Sequence, residues 1–110
     1  MNTVFVQNGD NIDYTPGVDV PAGAVVVQGE LIGVTKRPIP ANTLGSLAVS
    51  GVFDFPKATT AGSAISAGVN VYWNATAQQA TTTASGNKLI GKTIKAADDA
   101  DTTVRVRLTQ

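Results

Sequence analysis

Residues 85–93 read SGNKLIGKT, in which Gly86 is followed after four residues by Gly91-Lys92-Thr93. This is the letter pattern of a nucleotide-binding phosphate loop. In such a loop the N–H groups of a helix N-terminus surround the phosphates, the Lys reaches the terminal phosphates, and the Thr hydroxyl holds Mg²⁺. That chemistry needs a buried apolar strand ending at the first Gly and a helix starting near the Lys. The flanks supply neither. Upstream lies NATAQQATTTAS, polar and small, where a buried parallel strand is a run of Val, Ile and Leu. Inside the pattern sit Leu89 and Ile90, and too few residues separate Thr93 from DDAD for a crossover helix and the strand it would feed. Residues 88–94 therefore read as a β-strand.

The remaining inventory offers little catalysis. His and Cys are both absent, which excludes Ser-His-Asp and Cys-His mechanisms, zinc sites built on those ligands, and disulfides. Glu30 is the sole Glu, and most Asp residues sit beside turn formers. Asp98, Asp99 and Asp101 resemble a calcium loop in composition, but they lack the ring of oxygen ligands at EF-hand spacing and read as a polar hairpin tip. Lys36-Arg37 read as a solvated strand end. Tyr72-Trp73, Phe53 and Phe55 read first as core packing, with Trp73 also a candidate interface residue. Arg105 and Arg107 read as the solvent- or subunit-facing side of a strand.

The elements that must position these residues are strands. TVFVQ alternates, and NGDN (Asn8 to Asn11) is a hairpin-type turn signal. NIDYT, AVVVQ and ELIGVTK follow, the last two joined at Gln28-Gly29, before the loop containing Pro38 and Pro40. LGSLAVSGVFDFPK is the longest strand-like run, with Leu47, Val49, Phe53 and Phe55 on one face and Gly51 as a bulge or bend. VNVYWN, NKLIGKTI and TTVRVRL complete the set, while TTAGSAIS and IKAADDA are long enough only for a helical turn. This pattern predicts one all-β domain over residues 1–110, a small barrel or sandwich of short, mostly antiparallel strands.

The chain also carries a weak internal repeat. PGVDVPAGAVVV (16–27) aligns with AGSAISAGVNVY (61–72), and ELIGVTK (30–36) with KLIGKTI (88–94). Leu31-Ile32-Gly33-Val34-Thr35 thereby matches Leu89-Ile90-Gly91-Lys92-Thr93 without the lysine, which favours a structural strand in both halves.

Eight basic and eight acidic side chains cancel, which argues against an electrostatic nucleic-acid binder. No basic amphipathic helix, membrane-length apolar run or signal-peptide pattern is present in the sequence.

Taken in order, FVQNGDNIDYT, AGAVVVQGELIGV, GVFDFPKA, VYWNATAQQATTT, GNKLIGK and DTTVRVRL resemble the capsid cement, or decoration, proteins of tailed bacteriophages over nearly the whole chain. That family, once grouped as a domain of unknown function, includes members labelled RecA-like recombinases, a label that chance motifs such as GNKLIGKT explain. The resemblance implies a non-enzymatic virion protein without cofactors, made in the host bacterial cytoplasm. It implies a trimer on the outer capsid surface that bridges major capsid protein subunits and stabilises the shell. Thr3, Phe5, Pro38, Pro40, Trp73, Arg105 and Arg107 are the candidate capsid or subunit contacts, on the N-terminal segment, the Pro38–Pro40 loop and the last strand, with a further polar loop at Ala75–Ser85. A tail or baseplate module is the alternative reading, and a nucleotide-binding protein using Lys92 and Thr93 the third.

Overall fold

The computed structural model describes residues 3–7 and 9–109, and every regular element among them is a strand. Strands β1 (Asn11–Tyr14), β2 (Val25–Gln28), β3 (Leu31–Thr35) and β4 (Gly45–Ala48) form one sheet in the order β1-β4-β3-β2. Strands β5 (Gly51–Pro56), β6 (Asn70–Asn74), β7 (Gln79–Thr81), β8 (Lys88–Thr93) and β9 (Thr103–Leu108) form a second, in the order β5-β9-β8-β6-β7. All ladders within them are antiparallel. The sheets pack sandwich-like and stay open, although one bridge, Lys57 to Ala80, brings the two edges of the larger sheet together at one end.

Local chemistry accounts for these strands. In β9, Val104, Val106 and Leu108 are buried while Thr103, Arg105 and Arg107 face out, as a strand with one face in a core must alternate. The β2–β3 hairpin turns through Gly29 and Glu30, and Gly29 takes the positive φ of 60° that such a tight connection favours. One core spans both layers, with Ile32 and Val34 of β3 joining Phe55, Val71, Trp73, Ile90, Val104, Val106 and Leu108. Phe55 sits edge-on to Phe53 at 6.4 Å and to Trp73 at 6.2 Å between ring centroids. Burying a side chain of this size contributes roughly 1.5–3 kcal/mol.

The internal repeat is a repeat of structure. Replacing β1, β2, β3 and β4 by β5, β6, β8 and β9 converts the first strand order into the second, with β7 added at the edge. Gly23 and Gly68 adopt φ of 79° and 77°, and their N–H groups donate to the carbonyls of Thr35 and Thr93 at 2.7 and 2.8 Å. Val20 bridges Ile39 in one half as Ile65 bridges Ala97 in the other.

Four expectations change. TVFVQ, residues 3–7, is not a strand, because no segment among the described residues pairs with it, and β1 pairs with β4 instead of closing a hairpin at NGDN. Asn8 of that turn lies outside the described residues. The run LGSLAVSGVFDFPK is two strands in different sheets; Gly51, at φ 120°, lets the chain cross between layers, a conformation that side chains resist. The polar loop expected at Ala75–Ser85 is not all loop, since the chain reverses at Gln78 (φ 56°) and returns as β7. TTAGSAIS and IKAADDA form no helical turn; they meet through the Ile65–Ala97 bridge.

Candidate docking surfaces

The segment that resembles a phosphate loop is β8. Its alternation sends Lys92 to solvent and Thr93 to the interior, so the two side chains that would share a triphosphate point to opposite faces. The Thr93 hydroxyl donates to the carbonyl of Ser66 at 2.6 Å and accepts the N–H of Val69 at 3.2 Å. Gly91 is required for another reason: a Cβ there would fall on the carbonyl oxygen of Arg107 in β9. The chain is extended where a helix would have to begin.

Asp98, Asp99 and Asp101 form a loop around a lysine. Lys57, only 4% exposed, points its ammonium at the carbonyls of Ala58 (2.7 Å), Asp98 (2.8 Å) and Asp101 (3.1 Å), with that of Asp99 at 3.4 Å. The carboxylates of Asp99 and Asp101 accept the N–H groups of Ala64 and Asp98 at 2.7 and 2.8 Å. The backbone oxygens of this loop thus hold an internal cation, the Lys57 ammonium. Sequence reasoning missed this cage, because its key residue is a lone Lys in a strand-like run.

The candidate contacts fall into three groups. Thr3 and Phe5 lie on an extended arm, Thr3–Gln7, ahead of the edge strand β1. Val4, Phe5 and Val6 on this arm are 76%, 80% and 85% exposed. Three consecutive large apolar side chains in water are costly, about 25 cal/mol per Å² of apolar surface. Pro38 and Pro40 are exposed on the β3–β4 connection, where Ile39 between them is buried. They line an open groove of about 650 Å³ with Leu44, Ala48 and the strand-end cations Lys36 and Arg37. Arg105 and Arg107 stand on the outer face of the five-stranded sheet, Arg105 paired to Asp54 at 3.0 Å.

Trp73 leaves the set. It is 3% exposed and packed on Phe55, so its ring presents nothing to a partner of the folded chain. The strand period explains this, as Val71 and Trp73 face the core together. The Ala75–Ser85 segment is shorter as a loop than expected because β7 occupies part of it, and the Asn74 carboxamide oxygen holds its tight turn by accepting the N–H groups of Thr76 and Ala77, both at 3.1 Å.

The molecule therefore combines an all-β body, an exposed apolar arm and an exposed cationic sheet face. A family model for phage cement proteins matches residues 6–108. The chain belongs to that family. Comparison with curated proteins and with solved structures gave no match. A phage cement protein is a structural component of the capsid. In this cement protein GNKLIGKT is part of the scaffold, as strand β8.

Proposed function

We propose that the protein binds the outer surface of an assembled phage capsid, as a trimer, and stabilises the shell by bridging neighbouring major capsid protein subunits. The observation that carries this reading is the arm Thr3–Gln7, whose Val4, Phe5 and Val6 are all exposed and pair with nothing else among the described residues. An extended segment of this kind binds by adding its backbone to a partner's sheet edge or by laying its side chains into apolar pockets. A ligand that recognises only the assembled shell stabilises that state by mass action. A trimer multiplies modest contacts through effective concentration. The Pro38–Pro40 connection and the tip between β7 and β8 supply further contacts at the rim.

The test is cosedimentation with empty shells of the encoding phage, prepared without this protein. Removing residues 1 to 6 leaves every core residue in place and should abolish decoration. Wild-type affinity in the truncated protein would overturn the assignment of the arm. Failure of the intact protein to bind shells, with binding to tails instead, would overturn the capsid reading.

A further inference from the structure

Lys92 of β8 and Arg107 of β9 are directly opposed in the sheet register, both on the solvent face. Like charges at directly opposed positions destabilise a sheet. Among the described residues neither side chain has a hydrogen bond or an ion pair, whereas Arg105 has Asp54 at 3.0 Å, and Lys88 has Glu30 at 2.6 Å. The row they occupy runs across four strands, Asn70–Lys92–Arg107–Val52, and the next is Ile94–Arg105–Asp54. Val52 and Ile94 on this face are 52% and 50% exposed. The result is a regular lattice of cations and aliphatic side chains, three cations to one carboxylate, on a chain whose formal net charge is zero.

We infer that this outer face of the five-stranded sheet is a docking surface for an acidic protein surface, namely a carboxylate-bearing patch of the capsid shell. Charge complementarity selects the occupant. The same face of a second copy would set cations against cations. Elsewhere on the chain most carboxylates are already engaged: Glu30 by an ion pair, Asp10 by the Ser50 hydroxyl, and Asp19, Asp99 and Asp101 by backbone N–H groups, which leaves Asp13 in β1 of the smaller sheet and Asp98 on the β8–β9 connection of the larger one. Among the described residues these two carboxylates lie on different sheets, so they make no adjacent pair to meet Lys92 and Arg107. Two cations held side by side without a counter-ion cost stability in the isolated protein, and an opposing pair of carboxylates removes that cost on docking. Val52 and Ile94 supply apolar area between the charges. The inference rests on the capsid-binding reading and adds the chemistry of the partner.

The experiment measures equilibrium binding to empty shells of the encoding phage over a range of salt concentrations. The Lys92→Ala/Arg107→Ala double variant should bind about tenfold or more weakly at low salt, with a shallower dependence of log Kd on log salt. Lys92→Glu/Arg107→Glu should lose binding altogether. The Ala double variant should unfold no more easily than wild type, since a repulsion is relieved, which separates loss of contact from loss of fold. Replacing Val4, Phe5 and Val6 by Ser should weaken binding without changing the salt slope. Unchanged affinity and salt slope in the double Ala variant would overturn this inference while leaving the arm's role standing. Dissociation of the oligomer by the double variant would overturn it too, by placing the face between copies. If the wild type bound no shell, both readings would fall.

Discussion

Thr35 and Thr93 hold the same position in the two halves of the molecule. Each is buried, 1% and 2% exposed, and each hydroxyl closes the same pair of bonds. Thr35 donates to the carbonyl of Pro21 at 2.7 Å and accepts the N–H of Ala24 at 2.9 Å; Thr93 donates to Ser66 at 2.6 Å and accepts Val69 N–H at 3.2 Å. Both latch a glycine turn, at Gly23 or Gly68, onto the end of β3 or β8, the strand that pairs with the one the turn leads into. Thr→Val at either site keeps the shape and strands one buried acceptor and one donor. Each substitution should cost about 1–3 kcal/mol, and the two costs should be similar, as read by chemical denaturation.

Lys57 should be irreplaceable by an apolar side chain of similar length. Lys57→Met leaves the carbonyls of Ala58, Asp98 and Asp101 facing each other without a donor. A loss on the order of 3 kcal/mol is expected, with Lys57→Arg also destabilising because a planar guanidinium does not fit the cage. Thermal unfolding would report it, and protease cleavage near residues 98–101 should rise in parallel.

Within the phosphate-loop pattern, Gly91 and Lys92 should respond in the reverse of an enzyme's order. Gly91→Ala drives a methyl group into the Arg107 carbonyl and should destabilise the fold by about 3 kcal/mol or more. Lys92→Ala should change stability by no more than about 0.5 kcal/mol. Equilibrium denaturation separates the two, and a nucleotide that bound wild type but not Lys92→Ala would contradict the strand's structural role.

The Asp54–Arg105 pair should give a small acid-dependent contribution. The hydrogen bond from Arg105 holds the Asp54 carboxyl below the ordinary aspartate range; slight burial opposes this, and attraction to Arg105 and Lys95 adds to it. A depressed folded-state pKa means that the stabilisation is complete above the unfolded aspartate pKa and is lost as pH falls through the lower, folded one. Denaturation midpoints of wild type and Asp54→Asn should therefore differ at neutral pH and converge in strong acid. Both side chains are about half exposed, so added salt should shrink the gap.

Much of this architecture was legible because strand period and turn chemistry act locally. TTVRVRL and NKLIGKTI alternate unambiguously, and the repeat was visible in its glycines and threonines, the residues that the latch and the turns demand. Pairing partners were less legible. TVFVQ alternates like a strand but finds no neighbour among the described residues, and LGSLAVSGVFDFPK looks continuous until Gly51 turns it into the other layer. QAT of β7 carries almost no apolar signal; the neighbouring strand β6 defines it. The candidate surface was half visible. Arg105 and Arg107 stood out by alternation, whereas Lys92 joined them only once the register of β8 against β9 was known. Trp73 was drawn outward by the general abundance of tryptophan at interfaces, and its strand parity put it inside.

All strands of the smaller sheet precede Gly51 and all strands of the larger follow it, so the polypeptide passes between layers once. A nick at Ser50–Gly51 would leave two contiguous pieces, each holding one complete sheet. Their apolar faces share a single core, which gives separately made pieces a reason to reunite. That lone crossing is also where foreign sequence could be spliced in without interrupting any ladder, making the connector a natural seam for building display particles.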